Sequence, residues 1–214
     1  MEGNKVISNS FVWMCIGLLV TFVTGYAVAQ NANMLTNVFG NAFWVFIVLE
    51  FILVIVLSAR VMKMSPTSAK VCFILYSFVS GLTFSSIFVY YELTSILIVF
   101  LLGAVIFGVM ACIGYNTKVD LTKIGFYFLI GILGVIILSV INVFMGNTVL
   151  DIVLSVVCLI LFLGVTAYDV QKIKALSDTN LPADNLAIYG ALQLYLDFIN
   201  IFLQILELFN NNKD

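Results

Sequence analysis

Seven apolar runs alternate with short polar connections along this chain. They extend approximately from Phe11 to Ala29, Val38 to Ala59, Ala69 to Tyr91, Thr94 to Tyr115, Ile124 to Met145, Val149 to Val170 and Leu186 to Phe209. At about 1.5 Å per helical residue, each run reaches roughly 30 Å or slightly more, the thickness of a bilayer's hydrocarbon core. Lipid offers the backbone no hydrogen bonds, so only helices and closed barrels can cross it, and barrel strands need far fewer residues than these runs contain. The pattern predicts an all-α membrane protein of seven transmembrane helices.

The punctuation between runs agrees with that division. Asn31, Asn33 and Asn37 separate the first two runs, Ser65-Pro66 follows the second, and Gly146-Asn147 follows the fifth. The longest connection carries Ser177, Asp178, Pro182 and Asp184. With no fixed-period repeat, low-complexity tract or linker, residues 1–214 are expected to form a single transmembrane domain. Lys5 and the small residues Ala27-Val28-Ala29 give the first run some features of a secretory signal. Its near-full membrane length, with six similar runs behind it, instead predicts an uncleaved first helix.

Composition supports lipid as the solvent, since 63% of residues are apolar and 9% charged, against about 25% charged in typical soluble domains. A net charge of −2 and the lack of a dense Lys/Arg cluster exclude a nucleic-acid partner and an anionic-lipid patch as readings. Cys15, Cys72, Cys112 and Cys158 sit singly in separate apolar runs without histidine partners, and are expected to be small core residues. The positions of the basic residues are more informative. Lys5, the trio Arg60, Lys63 and Lys70, the pair Lys118 and Lys123, and the pair Lys172 and Lys174 fall at the amino terminus and in alternate connections. Lys and Arg are retained on the cytoplasmic side during insertion, so the amino terminus is predicted to be cytoplasmic. A complete seventh crossing puts Lys213 outside, and a re-entrant last helix puts it inside.

Candidate chemistry lies among ionisable groups at membrane depth, each of which costs roughly 2.5–3.5 kcal/mol at the centre of an inserted helix. Glu50 is mid-span in the second run, Asp169 ends the sixth and Asp197 stands in the middle of the seventh. Asp151 and Glu207 lie nearer span ends, where they can snorkel or meet water. In the seventh run Gly190, Gln193, Asp197, Asn200, Gln204 and Glu207 recur at spacings of three and four, which places them on one helical face. This polar stripe is expected to face protein or water. A stripe of amides alone would serve interhelical hydrogen bonding; the carboxylate at its centre points to a conduction pathway or proton-sensing site. Asp169 and Asp197 together could form a carboxylate pair that titrates as a unit. With no histidine in the chain, a pH response near neutrality must come from such carboxylates or, less directly, from a cysteine.

Several segments resemble the transmembrane Bax inhibitor motif family. They are Ser80-Gly81-Leu82-Thr83, Gly114-Tyr115-Asn116-Thr117-Lys118-Val119-Asp120-Leu121, Ala167-Tyr168-Asp169-Val170-Gln171-Lys172-Ile173, and Leu194-Tyr195-Leu196-Asp197-Phe198-Ile199-Asn200-Ile201-Phe202. The resemblance runs in order from about Ala69 to Leu208. It implies six helices around a central carboxy-terminal one, and a pH-sensitive calcium-leak channel of the bacterial cytoplasmic membrane. In that implied function Asp169 and Asp197 form the sensing pair and meet calcium weakly and in passing. Arg60 is the implied latch to Asp169, with Lys63 as the other candidate. Glu50, Gln193, Asn200, Gln204 and Glu207 are the expected polar lining.

Calcium then enters as the permeant ion, with protons as the regulating ligand and no cofactor; the chain carries no EF-hand loop or dense acidic cage. The alternative is a non-conducting regulator that binds a membrane-protein partner such as a protease or stress-response protein. Intramembrane aspartyl proteolysis would also use two aspartates, but no GxGD-like sequence surrounds Asp197, and no enzyme activity is expected. A retinal photoreceptor is disfavoured because the seventh run lacks a lysine for a Schiff base.

Overall fold

The computed structural model of the chain describes residues 2–37 and 42–211. Its elements are α1 (Glu2–Ala29), α2 (Ala32–Asn37), α3 (Phe43–Arg60), a 3₁₀ turn (Val61–Lys63), α4 (Pro66–Phe84), α5 (Ile87–Tyr90), α6 (Leu93–Asn116), α7 (Thr122–Met145), α8 (Thr148–Ser177) and α9 (Ala183–Asn211). No strand occurs among the described residues. Seven helical segments are long and apolar enough to cross a membrane: Asn4–Ala29, Phe43–Lys63, Pro66–Tyr90, Leu93–Asn116, Thr122–Met145, Thr148–Ser177 and Ala183–Phe209. The chain is therefore an all-α integral membrane protein with seven transmembrane helices. The expected start of the second span at Val38, and Lys213, lie outside the described residues.

Local chemistry sets most boundaries. Asn31 Oδ1 accepts from the N–H groups of Asn33 and Met34, starting the short α2 where the sequence reading placed only a connection. Ser65 accepts from Ser68 N–H, and Pro66 occupies the first turn of α4, where a missing N–H costs nothing. Gly146 ends α7 at φ 63°, the left-handed conformation that lacks a steric penalty only for glycine. The third span departs from its expected continuity. Ser85 and Ser86 donate to the carbonyls of Leu82 and Thr83, diverting them from the regular ladder and separating α4 from α5. Helices α8 and α9 extend past their apolar runs, to Ser177 and back to Ala183, because polar residues outside the hydrocarbon core can continue a helix.

Two compact units make up the chain. The first takes the chain up to Thr94 together with Ile173–Tyr195. In it α1 packs against α4, Phe88 stands edge-on to Phe22 and Tyr26, and Tyr195 meets Phe73 and Tyr76 edge-on at 6.1 and 5.5 Å. Asn185, fully buried in the first turn of α9, donates to the carbonyls of Val61 and Met64 and so satisfies the turn after α3. Beside it Lys70 and Asp184 form an ion pair at 3.5 Å.

The second unit comprises Ser95–Lys172 and the chain from Leu196 onward. Phe198 is edge-on to Phe100 and Phe107, at 5.1 and 5.6 Å, and Val135, Leu154 and Cys158 form a small core. The end of α6 approaches α8 so closely that a Cβ on Gly114 would collide with the Ala167 backbone. Outside the spans, Asp120 Oδ1 accepts from Thr122 N–H at 2.9 Å at the start of α7. The Thr122 hydroxyl and N–H hold this exposed carboxyl below the usual carboxylate range. A carboxylate so lowered stabilises the fold at neutral pH, and its contribution is lost as pH falls through the folded-state value.

Burial differs sharply among the spans. Two thirds (67%) of the most apolar window of the last span is buried, against 11% in the second and fifth. The apolar faces of α9 account for this: Leu186, Ile188, Leu192, Leu194, Ile201 and Leu206 are nearly or fully covered. The last span is thus the most covered of the seven.

Gly114→Ala is expected to cost about 1–3 kcal/mol through overpacking. Gly108→Ala, where nothing lies within 4 Å of the new Cβ, should be neutral or gain up to about 1 kcal/mol from helix propensity. Thermal unfolding in detergent distinguishes the two.

Candidate functional site

The two aspartates meet in the second unit. Asp169 is on α8 and Asp197 on α9; both are buried, at 5% and 3% exposure, and they lie close enough to interact electrostatically. Both helices run beyond the apolar segments, α8 to Ser177 and α9 from Ala183. Among the described residues, Asp197 Oδ2 is the one buried side-chain oxygen or nitrogen without a hydrogen-bond partner. A carboxylate oxygen in this state is costly in a low-dielectric interior, and sharing a proton or contacting a cation relieves the cost.

The turn around Asp169 is held on several sides. Ala167 abuts Gly114, and the Tyr168 ring abuts Gly125 in the first turn of α7. The Lys172 ammonium stands 5.6 Å from the centre of the Tyr168 ring.

The stripe on α9 divides between the units. Gly190 packs against Ser10 and Gln193 is half-buried, both in the first unit. In the second unit, Asn200, Gln204 and Glu207 continue the face of Asp197 and line a cavity of about 410 Å³ with Ser139, Asp151 and Ser155. Asn200 Nδ2 donates to the Leu196 carbonyl of its own helix at 2.7 Å, which tethers the amide in place. Asp151 accepts from Asn142 Nδ2, and it interacts electrostatically with Glu207. Thus Asp151, expected only to sit near a span end, shares one cavity with Glu207 of the stripe.

Glu50 has a different setting, in the first unit. Ser80 donates to its Oε1 at 2.6 Å, and Thr83 lies 2.9 Å from its Oε2, so the carboxyl clasps α3 to α4. Next to this clasp is a buried hydroxyl pair. The Thr21 hydroxyl lies 2.9 Å from the Ser77 carbonyl, 3.0 Å from the Gly17 carbonyl and 2.7 Å from the Tyr195 hydroxyl. Having one proton, Thr21 donates it to the carbonyls and accepts from Tyr195.

Sequence reasoning did not single out Thr21, Tyr195, Ser80 or Thr83 as polar partners. The i, i+3 spacing of Ser80 and Thr83 on one face of α4 was the available signal. Arg60 ends α3 and is exposed, as is Lys63 in the following turn, and both belong to the first unit.

No group of three or more His, Cys, Asp or Glu side chains converges among the described residues.

Tyr195→Phe and Thr21→Val should each cost about 1 kcal/mol. The double variant should cost less than their sum, because either change alone breaks the same bond. A double-mutant cycle in detergent checks this, and strict additivity would show that the hydroxyls do not act as a pair.

Comparison with known proteins gives a consistent result. The family model described as inhibitor of apoptosis-promoting Bax1 matches residues 3–214. The chain is 38% identical to the inner membrane protein YbhL of Escherichia coli strain K12, over 97% of its own length and 92% of that protein's. It is also 38% identical to a protein of Borreliella burgdorferi, covering 99% of this chain and 94% of the relative. A Deinococcus radiodurans protein is 34% identical, covering 100% and 93% respectively.

Proposed function

This chain belongs to the Bax-inhibitor family, and from that premise and the setting of its two aspartates we propose that it is a pH-sensitive calcium-leak channel. The observation that carries the reading is the buried Asp169–Asp197 pair, with one carboxylate oxygen unpartnered at membrane depth. Buried ionisable groups inside a membrane protein are expensive and mark ion or proton pathways. The cavity lined by Asn200, Gln204 and Glu207, on the Asp197 face of α9, supports the same reading by placing side-chain oxygens within an otherwise largely apolar wall, where a passing cation could meet them.

When the pair shares a proton, its charge is reduced and the helices that carry it can remain together. Loss of the proton adds negative charge, which repels within the pair and attracts a hard divalent cation. Leak therefore rises as pH rises through the titration of the pair. The site of action is the bacterial cytoplasmic membrane, with the amino terminus on the cytoplasmic side. The latch role assigned to Arg60 belongs to the same proposal, and Arg60→Gln should let leak persist at lower pH.

The test is calcium entry into liposomes holding purified protein between about pH 6 and pH 8. Wild type should leak more at the alkaline end, and Asp169→Asn and Asp197→Asn should each abolish the pH dependence. Liposomes no leakier than empty ones at any pH would overturn the channel reading in favour of a non-conducting regulator of a membrane-protein partner.

A further inference from the structure

Gln171 stands two residues after Asp169 on α8 and uses both ends of its carboxamide on the connection between α6 and α7. Its Nε2 donates to the Val119 carbonyl, and its Oε1 accepts from the Leu121 N–H, each at 2.8 Å. Within residues 117–121, neither of these backbone groups has a regular ladder to join, so an amide side chain supplies what a neighbouring strand would. Among side chains of this length, only glutamine presents a donor and an acceptor together: glutamate has no donor when ionised, and methionine has neither in useful strength.

The same stretch of α8 is gripped immediately before Asp169, where Ala167 abuts Gly114 of α6 and Tyr168 abuts Gly125 of α7. Asp169 is thus bracketed along α8 by two close backbone or ring contacts on one side and the Gln171 clamp on the other. We propose that Gln171 is a positioning residue that fastens the 117–121 connection to the turn of α8 carrying Asp169, so that the connection and the turn move as one body. Its consequence for conduction rests on the leak-channel reading; the mechanical coupling does not.

A graded pair of substitutions tests this in full-length protein held in lipid nanodiscs. Gln171→Met keeps the length and removes both bonds, while Gln171→Glu keeps the acceptor for Leu121 N–H and loses the donor. Hydrogen–deuterium exchange is followed in two peptides, one covering 117–123 and one covering 165–174. Exchange in both should be several-fold faster for Gln171→Met than for wild type, with Gln171→Glu intermediate, and calcium leak into liposomes should change in the same order. A role in packing alone would leave the near-isosteric methionine variant like wild type. Unchanged exchange in both peptides would refute the clamp, and faster exchange in 117–123 alone would refute its hold on the Asp169 turn. If exchange behaves as expected but wild type carries no calcium, the leak reading fails and the clamp stands.

Discussion

Hydrocarbon cannot hydrogen-bond, so every polar group this chain carries into the bilayer must be answered by another group of the protein. The backbone meets that demand by remaining helical across seven spans. Side chains meet it in pairs and small networks: Glu50 with Ser80 and Thr83, Thr21 with Tyr195, and Asn142 with Asp151. Each answered group ties one helix to another, and in membranes such ties are worth roughly 0.6–2 kcal/mol apiece. They act more as register marks than as bulk stabilisers. The heavier contribution comes from close packing, as where Gly114 lets α6 settle on the backbone of α8.

Against this background, Asp197 is the exception that gives the molecule a function to explain. Covered apolar side chains such as Leu194, Phe198 and Ile201 flank its polar stripe on α9, its electrostatic partner is another carboxylate, and one of its oxygens has no hydrogen-bond partner. A purely structural site would have supplied a hydroxyl or amide there, as the protein does for Glu50. In the proposed leak, that demand is met by a proton or a passing cation, and the local arrangement is sensitive to both.

Much of the fold could be read from the chain because lipid imposes a crude rule, roughly one span per 20 apolar residues, and Ser65-Pro66 and Gly146 mark ends by known capping chemistry. What escaped was local competition. Ser85 and Ser86 look like ordinary small residues within a run, yet their hydroxyls capture carbonyls and divide it. Likewise α8 continues through Lys172 and Lys174, because charge ends a hydrophobic run without ending a helix. Of the site, Asp169 and Asp197 were legible from cost alone. The partners of Glu50 were not, since serine and threonine carry little weight in any periodicity. The common cavity of Asp151 and Glu207 was hidden because nothing in the sequence near either residue indicates the other.

The most direct test of the central claim is whether the two aspartates bind protons as one unit. Infrared difference spectra of the reconstituted protein, taken between acidic and alkaline pH, follow the carbonyl band of a protonated carboxylic acid. A shared proton predicts that Asp169→Asn and Asp197→Asn each alter the whole pH-dependent band, moving its midpoint as well as its size. If each substitution instead removes a separate portion and leaves the other titrating as in wild type, the carboxylates are independent and the account built on their coupling is contradicted.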